Sequence, residues 1–369
     1  MGRARYVMVG GFLGAGKTTA ILRLASHLTA QGLRVGLITN DQSTGLVDTA
    51  LLGSHGFDVE EITGGCFCCR FNSLLEASER LSKETRPDVF VAEPVGSCTD
   101  LTATVSYPLR RIYGDDFRIA PLSVLVDPLR ALRVLGLEPG RAFSPKVLYV
   151  YGKQIEEAEI LIINKVDLLT PDRLQTLRAA LRERNPRAEI LAVSAREGSG
   201  LDGWFERLEG SEAGTALPPE LDYDLYAEGE ARLGWLNATL RLEAESAFDG
   251  NHLLRRLAGL VQERLVAEGI EVAHFKAVLT PEEDGADIAV LNLVRGDGTA
   301  EMSHTLAEPL GSGELVLNLR AEGDPERLEA AVQEALAAVL PAAMVRFHVG
   351  HLERFRPARP VPVHRMAEA

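Results

Sequence analysis

Cysteine is scarce in this sequence: there are four in 369 residues, and three of the four lie within four consecutive positions, in GGCFCCR (64–70). Four clustered cysteines do not form the disulfide framework of a small secreted protein. A disulfide between two of the three neighbours would also leave one thiol over. The three neighbouring thiols therefore require a chemical explanation other than disulfide bonding.

Positive charge is also in short supply, with 39 Lys and Arg against 53 Asp and Glu and a net charge of −14. This balance argues against nucleic acid or an anionic membrane as the main partner, because both reward clustered cations. No uninterrupted apolar run approaches membrane-spanning length. The apolar N-terminal stretch leads into Gly-Lys-Thr-Thr rather than a cleavage pattern, so we expect no signal peptide and a cytoplasmic protein.

Strand and helix patterns alternate over residues 1–208, which predicts an α/β domain with a mostly parallel sheet covered on both faces. Residues 209–231 hold Gly, a Pro-Pro pair and many acids, and are predicted to be a linker. The pattern order then changes, which predicts a small α+β domain, ferredoxin-like, over 232–345. Residues 346–369 contain Pro and Arg and are predicted to be an extended tail.

The stretch GGFLGAGKTT (10–19) contains the pattern G-x-x-x-x-G-K-T between a predicted strand and a predicted helix. Backbone N–H groups of such a turn cradle phosphate oxygens. Lys17 is predicted to neutralise the β- and γ-phosphates, and Thr18 to bind Mg²⁺ through its hydroxyl. The alternative is a tight turn with an incidental lysine, and the full pattern in context outweighs it. The predicted nucleotide-binding residues here are Gly11, Gly14, Ala15, Gly16, Lys17, Thr18 and Thr19.

The base of the nucleotide is indicated by INKVDLL (163–169), which places Asn164, Lys165 and Asp167 at the end of an apolar strand. The Asp167 carboxylate can accept hydrogen bonds from guanine N1–H and the 2-amino group, and adenine lacks this donor pattern. Alone, such a stretch is often a solvated loop. Downstream of a phosphate-binding turn it predicts GTP rather than ATP, with Ser194 and Ala195 contacting guanine O6 through backbone amides.

A carboxylate at the end of a neighbouring strand is needed for Mg²⁺, and VFVAEPVG (89–96) supplies Glu93. Gly96 follows closely enough to sense the γ-phosphate. Asp88 and Asp127 are the alternative acids for Mg²⁺. The competing interpretation of Asp127, which precedes Pro128, is that it only ends a strand.

The stretch TNDQSTGLVD (39–48) supplies Asn40, Asp41 and Asp48 as candidate switch residues. For Asp48, a switch role and a surface acid are equally supported. Gln42 is more typical of a solvated loop residue than of a residue that orients an attacking water. The predicted catalytic residues are Lys17, Asp41, Glu93 and Gly96.

Cys66, Cys68 and Cys69 are predicted to bind a transition metal, since thiolates are soft ligands that favour Zn²⁺ and similar ions. A closed structural zinc site has four ligands, commonly in C-x₂₋₄-C pairs. Three thiolates on one loop leave a position open for water, a carboxylate or a receiving protein, which suits transient holding. The alternative is a buried cluster of thiols packed as small hydrophobes.

The fourth cysteine and one pair of histidines lie outside this cluster in the sequence. Cys98, in GSCTDL (96–101), is predicted to be a thiol packed in the core, because free cysteine is commonly buried. His348 and His351 could form a second metal pair, but an exposed or packed pair is the favoured interpretation.

Taken in order, GGFLGAGKTT, TNDQSTGLVD, GGCFCCR, VFVAEPVG and INKVDLL resemble the CobW-type GTPases, which are grouped with the nickel-handling HypB and UreG proteins. The resemblance covers roughly residues 5–208. It implies GTP-dependent metal insertion with GTP/GDP and Mg²⁺, with Cys66, Cys68 and Cys69 as ligands of Zn²⁺ or Co²⁺ and with Glu93 as the Mg²⁺-linked acid. By the same analogy, the partners are a client metalloprotein, bound through the C-terminal domain, and a second copy in a homodimer.

Three functions follow from these patterns. The first is a GTPase that couples its nucleotide state to metal delivery. The second is a GTP-dependent assembly or regulatory switch that acts on a client enzyme while the cysteines are structural. The third is a GTPase of other purpose that carries a purely structural zinc site.

Overall fold

The computed structural model describes most of the chain and divides it into two compact units. The described residues are 3–40, 52, 53, 55–212, 218–282 and 287–367. Of the described residues, the first unit holds 3–40, 55–212, 218–229 and 359–367, and the second holds 52, 53, 230–282 and 287–358. The candidate switch residues Asp41, Gln42 and Asp48 lie outside the described residues. No helix in the described part is long and apolar enough to cross a membrane.

An eight-stranded parallel sheet forms the centre of the first unit. Its strands are β1 (Ala4–Gly11), β2 (Val35–Asn40), β3 (Asp58–Ile62), β4 (Val89–Glu93), β5 (Phe117–Ile119), β6 (Ser123–Val126), β7 (Ile160–Ile163) and β8 (Glu189–Ala192). The strand order is β3-β2-β4-β1-β6-β7-β8, with β5 paired to β1. The apolar strands are buried because helices cover the sheet. The predicted α/β class is confirmed.

Helices connect these strands, and several begin at residues whose side chains satisfy the first-turn N–H groups. They are α1 (Lys17–Ala30), α2 (Phe71–Glu84), α3 (Tyr107–Tyr113), α4 (Pro128–Val134), α5 (Pro145–Glu157), α6 (Pro171–Arg184), α7 (Leu201–Gly210) and α8 (Tyr223–Arg232). Asp127 caps α4 by accepting from the Arg130 N–H, and Thr170 caps α6 by accepting from the Arg173 N–H. A proline at the first position follows each of these caps.

The second unit is built on a six-stranded antiparallel sheet. Its elements are β9 (Leu233–Phe248), α9 (Gly250–Ala267), β10 (Glu271–Pro281), β11 (Ala289–Leu293), β12 (Glu301–His304), β13 (Leu310–Glu322), α10 (Pro325–Ala342) and β14 (Val345–Phe355). The strand order is β12-β11-β10-β13-β9-β14. Without β11 and β12, this is the β-α-β-β-α-β arrangement of a ferredoxin-like domain. Both helices pack on one apolar core with the sheet.

Two segments outside the predicted domains carry regular structure. Helix α8 occupies the end of the segment predicted as a linker, 209–231, and β14 occupies the first part of the segment predicted as a tail, 346–369. Strand β14 lies at the edge of its sheet, and most of its side chains are exposed. An edge strand with little buried surface lacks the alternation that reveals a strand in sequence.

Candidate nucleotide and metal sites

The turn between β1 and α1 is shaped for phosphate. Gly16 has a φ of 89° and is the N-cap of α1, so it has no side chain to accept from the N–H groups of the first turn. Those groups remain available for an anion at the positive end of the helix. A Cβ on Gly16 would lie 2.5 Å from Asn164 Nδ2, so a larger residue would force this turn apart.

Glu93 lies beside the phosphate-binding turn. Its Oε1 is 3.6 Å from Lys17 Nζ and accepts a hydrogen bond of 3.4 Å from Thr18 Oγ1. Asp88, the alternative acid, instead pairs with Arg34 at the surface. A hydroxyl and a carboxylate are the oxygen donors that Mg²⁺ prefers, so this pair fits the ion.

Asn164 and Lys165 tie the predicted base-binding segment to the turn between β1 and α1. Asn164 Nδ2 donates to the Ala15 carbonyl at 2.9 Å, and Asn164 Oδ1 accepts from the Ala195 N–H at 3.0 Å. Lys165 Nζ donates to the Gly14 carbonyl at 2.8 Å. The predicted base-binding and phosphate-binding segments are therefore joined by direct hydrogen bonds.

Asp127, the other alternative to Glu93 as the magnesium acid, makes a contact that the sequence did not indicate. Its Oδ2 lies 2.8 Å from Lys165 Nζ. Burial raises the pKa of the Asp127 carboxyl, but the charges of Lys165 and Arg130 and their hydrogen bonds outweigh it and hold that pKa at about 2. The Asp127 charge thereby fixes Lys165, whose backbone is left-handed with a φ of 54°. Asp167 follows in a short 3₁₀ turn and is exposed.

The three neighbouring cysteines converge in a tight loop before α2. The Sγ separations are 2.6 Å for Cys66–Cys68, 3.4 Å for Cys66–Cys69 and 3.7 Å for Cys68–Cys69. Tetrahedral ligands at about 2.3 Å from one Zn²⁺ lie about 3.8 Å apart, so the two longer separations suit one ion and the Cys66–Cys68 pair would open to hold it. Gly65 has a φ of 149°, and its carbonyl and that of Gly64 take part in closing the loop.

The pKa values of the three thiols shift in opposite directions. Hydrogen bonds from the thiols of Cys68, Cys69 and Cys98 lower the pKa of Cys66 well below its ordinary value. The hydrogen bond to Cys66 raises the pKa of Cys68, and it raises the pKa of Cys69 to about 11. Of the three thiols, Cys66 is therefore the one whose pKa is shifted toward the thiolate, which is the form that binds metal.

The last residues of the first unit cover the cysteine loop. The Val361 N–H donates to Cys69 Sγ at 3.2 Å, and the Val363 N–H donates to the Cys68 carbonyl at 2.9 Å. The His364 ring packs edge-on against Phe71, with a centroid separation of 5.0 Å. We call residues 359–367 the C-terminal strap; nothing in the sequence pattern connects it to the cysteines.

Removal of the strap is expected to expose Cys69. A chain lacking 359–369 should be alkylated at Cys69 faster than the full chain, because the strap supplies a hydrogen bond and cover to that sulfur. The rate is measured by mass spectrometry after timed treatment with iodoacetamide. Val361→Pro, which removes only the N–H donor, should show a smaller increase. Equal rates in all three proteins would contradict the covering role.

A buried acid at the end of α5 predicts a pH dependence of stability. Glu157 Oε1 accepts from Thr99 Oγ1 at 2.9 Å. Burial, with a further contribution from the Asp100 charge, raises the pKa of Glu157 from 4.5 to about 8. The unfolded chain loses this proton near pH 4.5 and the folded chain near pH 8, so the contribution is fully present below pH 4.5 and declines as pH rises through that window.

In the wild type, the unfolding free energy should therefore fall by a few kcal/mol between pH 5 and 8, at about 1.4 kcal/mol per unit of pKa difference. Glu157→Gln should remove most of this fall. Denaturant titrations across this range measure the slope. The exposed substitution Glu183→Gln serves as control and should leave the slope unchanged. A wild-type slope retained in Glu157→Gln would show that Glu157 ionises normally in the folded protein.

The structure brings the described candidates together in two groups within the first unit. Lys17, Thr18 and Glu93 meet at the carboxyl edge of the sheet, and Cys66, Cys68 and Cys69 form the one group of three or more potential metal ligands among the described residues. His348 and His351 are both exposed on β14 and do not join such a group. This leaves the exposed-pair interpretation of the two histidines in place.

Comparison with known proteins identifies the family. The family model for the CobW/HypB/UreG nucleotide-binding domain matches residues 5–192. The chain belongs to this family, which confirms the resemblance seen in the sequence motifs. The match covers the parallel sheet and both groups of candidate site residues.

Three curated relatives are similar to the chain. The zinc-regulated GTPase metalloprotein activator 1 of Dictyostelium discoideum is 24% identical over an alignment of 265 residues, and the match covers 59% of this chain and 54% of the relative. The zinc chaperone YeiR of Escherichia coli K12 is 30% identical over 174 residues, 46% and 49% of the two chains. The zinc chaperone CobW of a Sinorhizobium species is 28% identical over 218 residues, 53% and 60% of the two chains. The chain thus spans about half the length of the curated relatives it matches.

Proposed function

We propose that this chain binds and hydrolyses GTP and uses the nucleotide state to hold and release a transition metal for a client metalloprotein. Zinc is the proposed metal because two similar proteins are named zinc chaperones, and cobalt is the alternative. Cys66, Cys68 and Cys69 are the proposed ligands. The proposed class of protein is a metallochaperone, and its proposed location is the cytoplasm.

One observation carries the proposal: the nucleotide edge of the sheet is connected directly to the cysteine loop. Asn40, the last residue of β2, donates from Nδ2 to the Ile62 carbonyl at 3.0 Å and to the Gly65 carbonyl at 2.8 Å. Gly65 immediately precedes Cys66. A shift at the end of β2, where the candidate switch residues begin, would therefore reach the metal-binding loop through one side chain.

The proposed hydrolytic site uses residues at the same edge. Thr18 and Glu93 would hold Mg²⁺, which supplies charge neutralisation on the β- and γ-phosphates when bound. Lys17 is buried beside Glu93, which supports its proposed role of neutralising the same phosphates. Gly96 packs against the phosphate-binding turn, since a Cβ there would lie 3.1 Å from the Leu13 nitrogen. Asp41 completes the proposed catalytic set.

The test is a zinc titration of the full chain under three conditions: with a non-hydrolysable GTP analogue, with GDP and without nucleotide. Coupling predicts a change in zinc affinity between nucleotide states, and by linkage zinc must change GTP affinity by the same factor. Identical zinc affinities in all three conditions would contradict the proposal.

Base specificity is proposed to rest on Asp167. Hydrogen bonds to a charged acceptor contribute about 1.5–3 kcal/mol, so Asp167→Asn should weaken GTP binding about 10- to 100-fold without weakening ATP binding. Fluorescence titration with both nucleotides measures the ratio. Asp172→Asn, which changes an exposed acid on α6, is the matched control. An unchanged preference for GTP in Asp167→Asn would remove this role.

The proposed partners are a client metalloprotein and a second copy of this chain. The client is proposed to bind the second unit, whose edge strand β14 exposes Phe347 and Val349. Exposed edge strands accept further strands through their backbone groups. A homodimer is the second proposed assembly, and the mass of the protein in solution tests it.

A further inference from the structure

The C-terminal strap is anchored by a buried carboxylate. Asp100 is 0% exposed, and its Oδ2 accepts hydrogen bonds from Arg365 Nε at 2.8 Å and from the Tyr223 hydroxyl at 2.6 Å. Its Oδ1 is buried and has no hydrogen-bond partner in the described part of the chain. Burying a carboxylate is costly unless the charge is paired, so Asp100 depends on the Arg365 guanidinium. This ion pair therefore holds the strap at one buried point.

Over the cysteine loop, the strap binds through its backbone rather than its side chains. The N–H groups of Val361 and Val363 make the contacts with Cys69 and Cys68, whereas the two valine side chains are 70% and 46% exposed. Neutral hydrogen bonds contribute less than hydrogen bonds that are made to a charged group. The cover over the two sulfurs therefore depends on the anchor at Asp100.

Asp100 lies at the end of a buried segment that begins at Glu93. Every residue of the segment 93–100 is buried. Gln154 Nε2, on α5, supports the middle of the segment by donating to the Gly96 carbonyl at 3.0 Å. Because protein interiors are close-packed, a displacement at the proposed magnesium acid is transmitted along this segment to the anchor of the strap.

We propose that the C-terminal strap is an autoinhibitory cover on the cysteine site, that the ion pair between Asp100 and Arg365 latches it, and that the nucleotide state opens this latch through the segment 93–100. The inference rests on the proposed function, which assigns the nucleotide and the metal. With the latch closed, the Val361 N–H lies on Cys69 Sγ and a metal acceptor cannot reach that sulfur. With the latch open, Cys69, the least buried of the three sulfurs, is accessible to the receiving protein.

The experiment is timed alkylation of the metal-free full chain with iodoacetamide, measured at Cys69 by mass spectrometry. It is carried out with Mg²⁺ and a non-hydrolysable GTP analogue, and again with Mg²⁺ and GDP. The variants are Arg365→Ala and Asp100→Asn, because Asn tolerates the left-handed backbone that Asp100 adopts at a φ of 64°. The matched control is Arg359→Ala, which removes a strap arginine that pairs with the exposed Asp224 and so contributes little.

In the wild type, the alkylation rate of Cys69 should differ at least about fivefold between the two nucleotide states, as is usual for coupled sites. Loss of a hydrogen bond to a charged group shifts an equilibrium by about 10- to 100-fold, so Arg365→Ala should raise the slower of the two rates by about tenfold or more. It should also remove the difference between the nucleotide states. Asp100→Asn should show the same changes, and Arg359→Ala should behave as the wild type.

A wild-type rate that is the same in both nucleotide states, or an unchanged rate in Arg365→Ala, would overturn the proposal. If Asp100→Asn does not fold, Arg365→Ala decides alone, since its side chain is 40% exposed. A latch that responds as expected, together with identical zinc affinities in all nucleotide states, would support the cover and contradict the proposed function. A zinc affinity that depends on nucleotide, together with a Cys69 reactivity that does not, would do the reverse.

Discussion

Lys17→Met is expected to abolish nearly all GTP hydrolysis, with a loss of about 10²- to 10³-fold in kcat. Removal of a single preorganised group that stabilises transition-state charge has effects of this size. Lys17 is 7% exposed, and its Nζ is 3.6 Å from Glu93 Oε1, so water cannot easily replace its charge. Met keeps the length of the side chain and most of its volume, which limits the disturbance of packing.

Phosphate release in the presence of GTP and Mg²⁺ measures the loss, and thermal unfolding shows whether the variant folds. Lys146→Met is the control, because Lys146 lies at the surface and pairs with the exposed Glu228. Its hydrolysis should match the wild type. Hydrolysis by Lys17→Met within about threefold of the wild type would place the reaction elsewhere, given the 10²-fold effect expected from such groups.

Replacing Cys66, Cys68 and Cys69 together with Ser should eliminate tight zinc binding, with a loss of more than about 10³-fold, because serine lacks the soft thiolate that holds the ion. GTP affinity without metal should change little, since the phosphate-binding turn makes its own contacts. Competition with a chromophoric chelator measures zinc binding. The single variant Cys69→Ser, at the least buried of the three sulfurs, should show an intermediate loss.

The same triple variant separates metal holding from structural support. A structural site contributes its binding free energy to folding, so its loss or chelation should lower Tm strongly. A delivery site should leave Tm of the metal-free variant close to that of the metal-free wild type. Tight zinc binding retained by the triple variant would exclude these cysteines as the site, and a collapse of Tm would favour the structural alternative.

Sequence patterns predicted the parallel sheet and the positions of both candidate sites because those signals are local. The phosphate-binding turn needs glycine where the backbone is left-handed, as at Gly16, and it must lie between a strand and a helix. The three neighbouring cysteines could converge only on one loop. Such features are encoded within about ten residues, so they can be read without knowing the fold.

The contacts that complete the sites were not predictable in this way. Asn40 and the C-terminal strap reach the cysteine loop from separate segments, and no periodicity or motif joins them to it. Asp127 was considered as an acid at the end of a strand, but its pairing with Lys165 depends on two strands lying side by side. Long-range pairings of this kind follow from the strand order, which the local patterns do not specify.

The C-terminal strap has a consequence for how the protein is made. Val361 and its hydrogen-bonding partner Cys69 are separated by 292 positions in the chain. At usual rates of translation, the ribosome needs about 15 to 60 s to cross that interval. During this time the growing chain holds its thiols without the cover that Val361 and Val363 later provide. Every newly synthesised molecule thus passes through a period in which the sulfurs are more accessible to metal and to oxidants than they are in the finished protein.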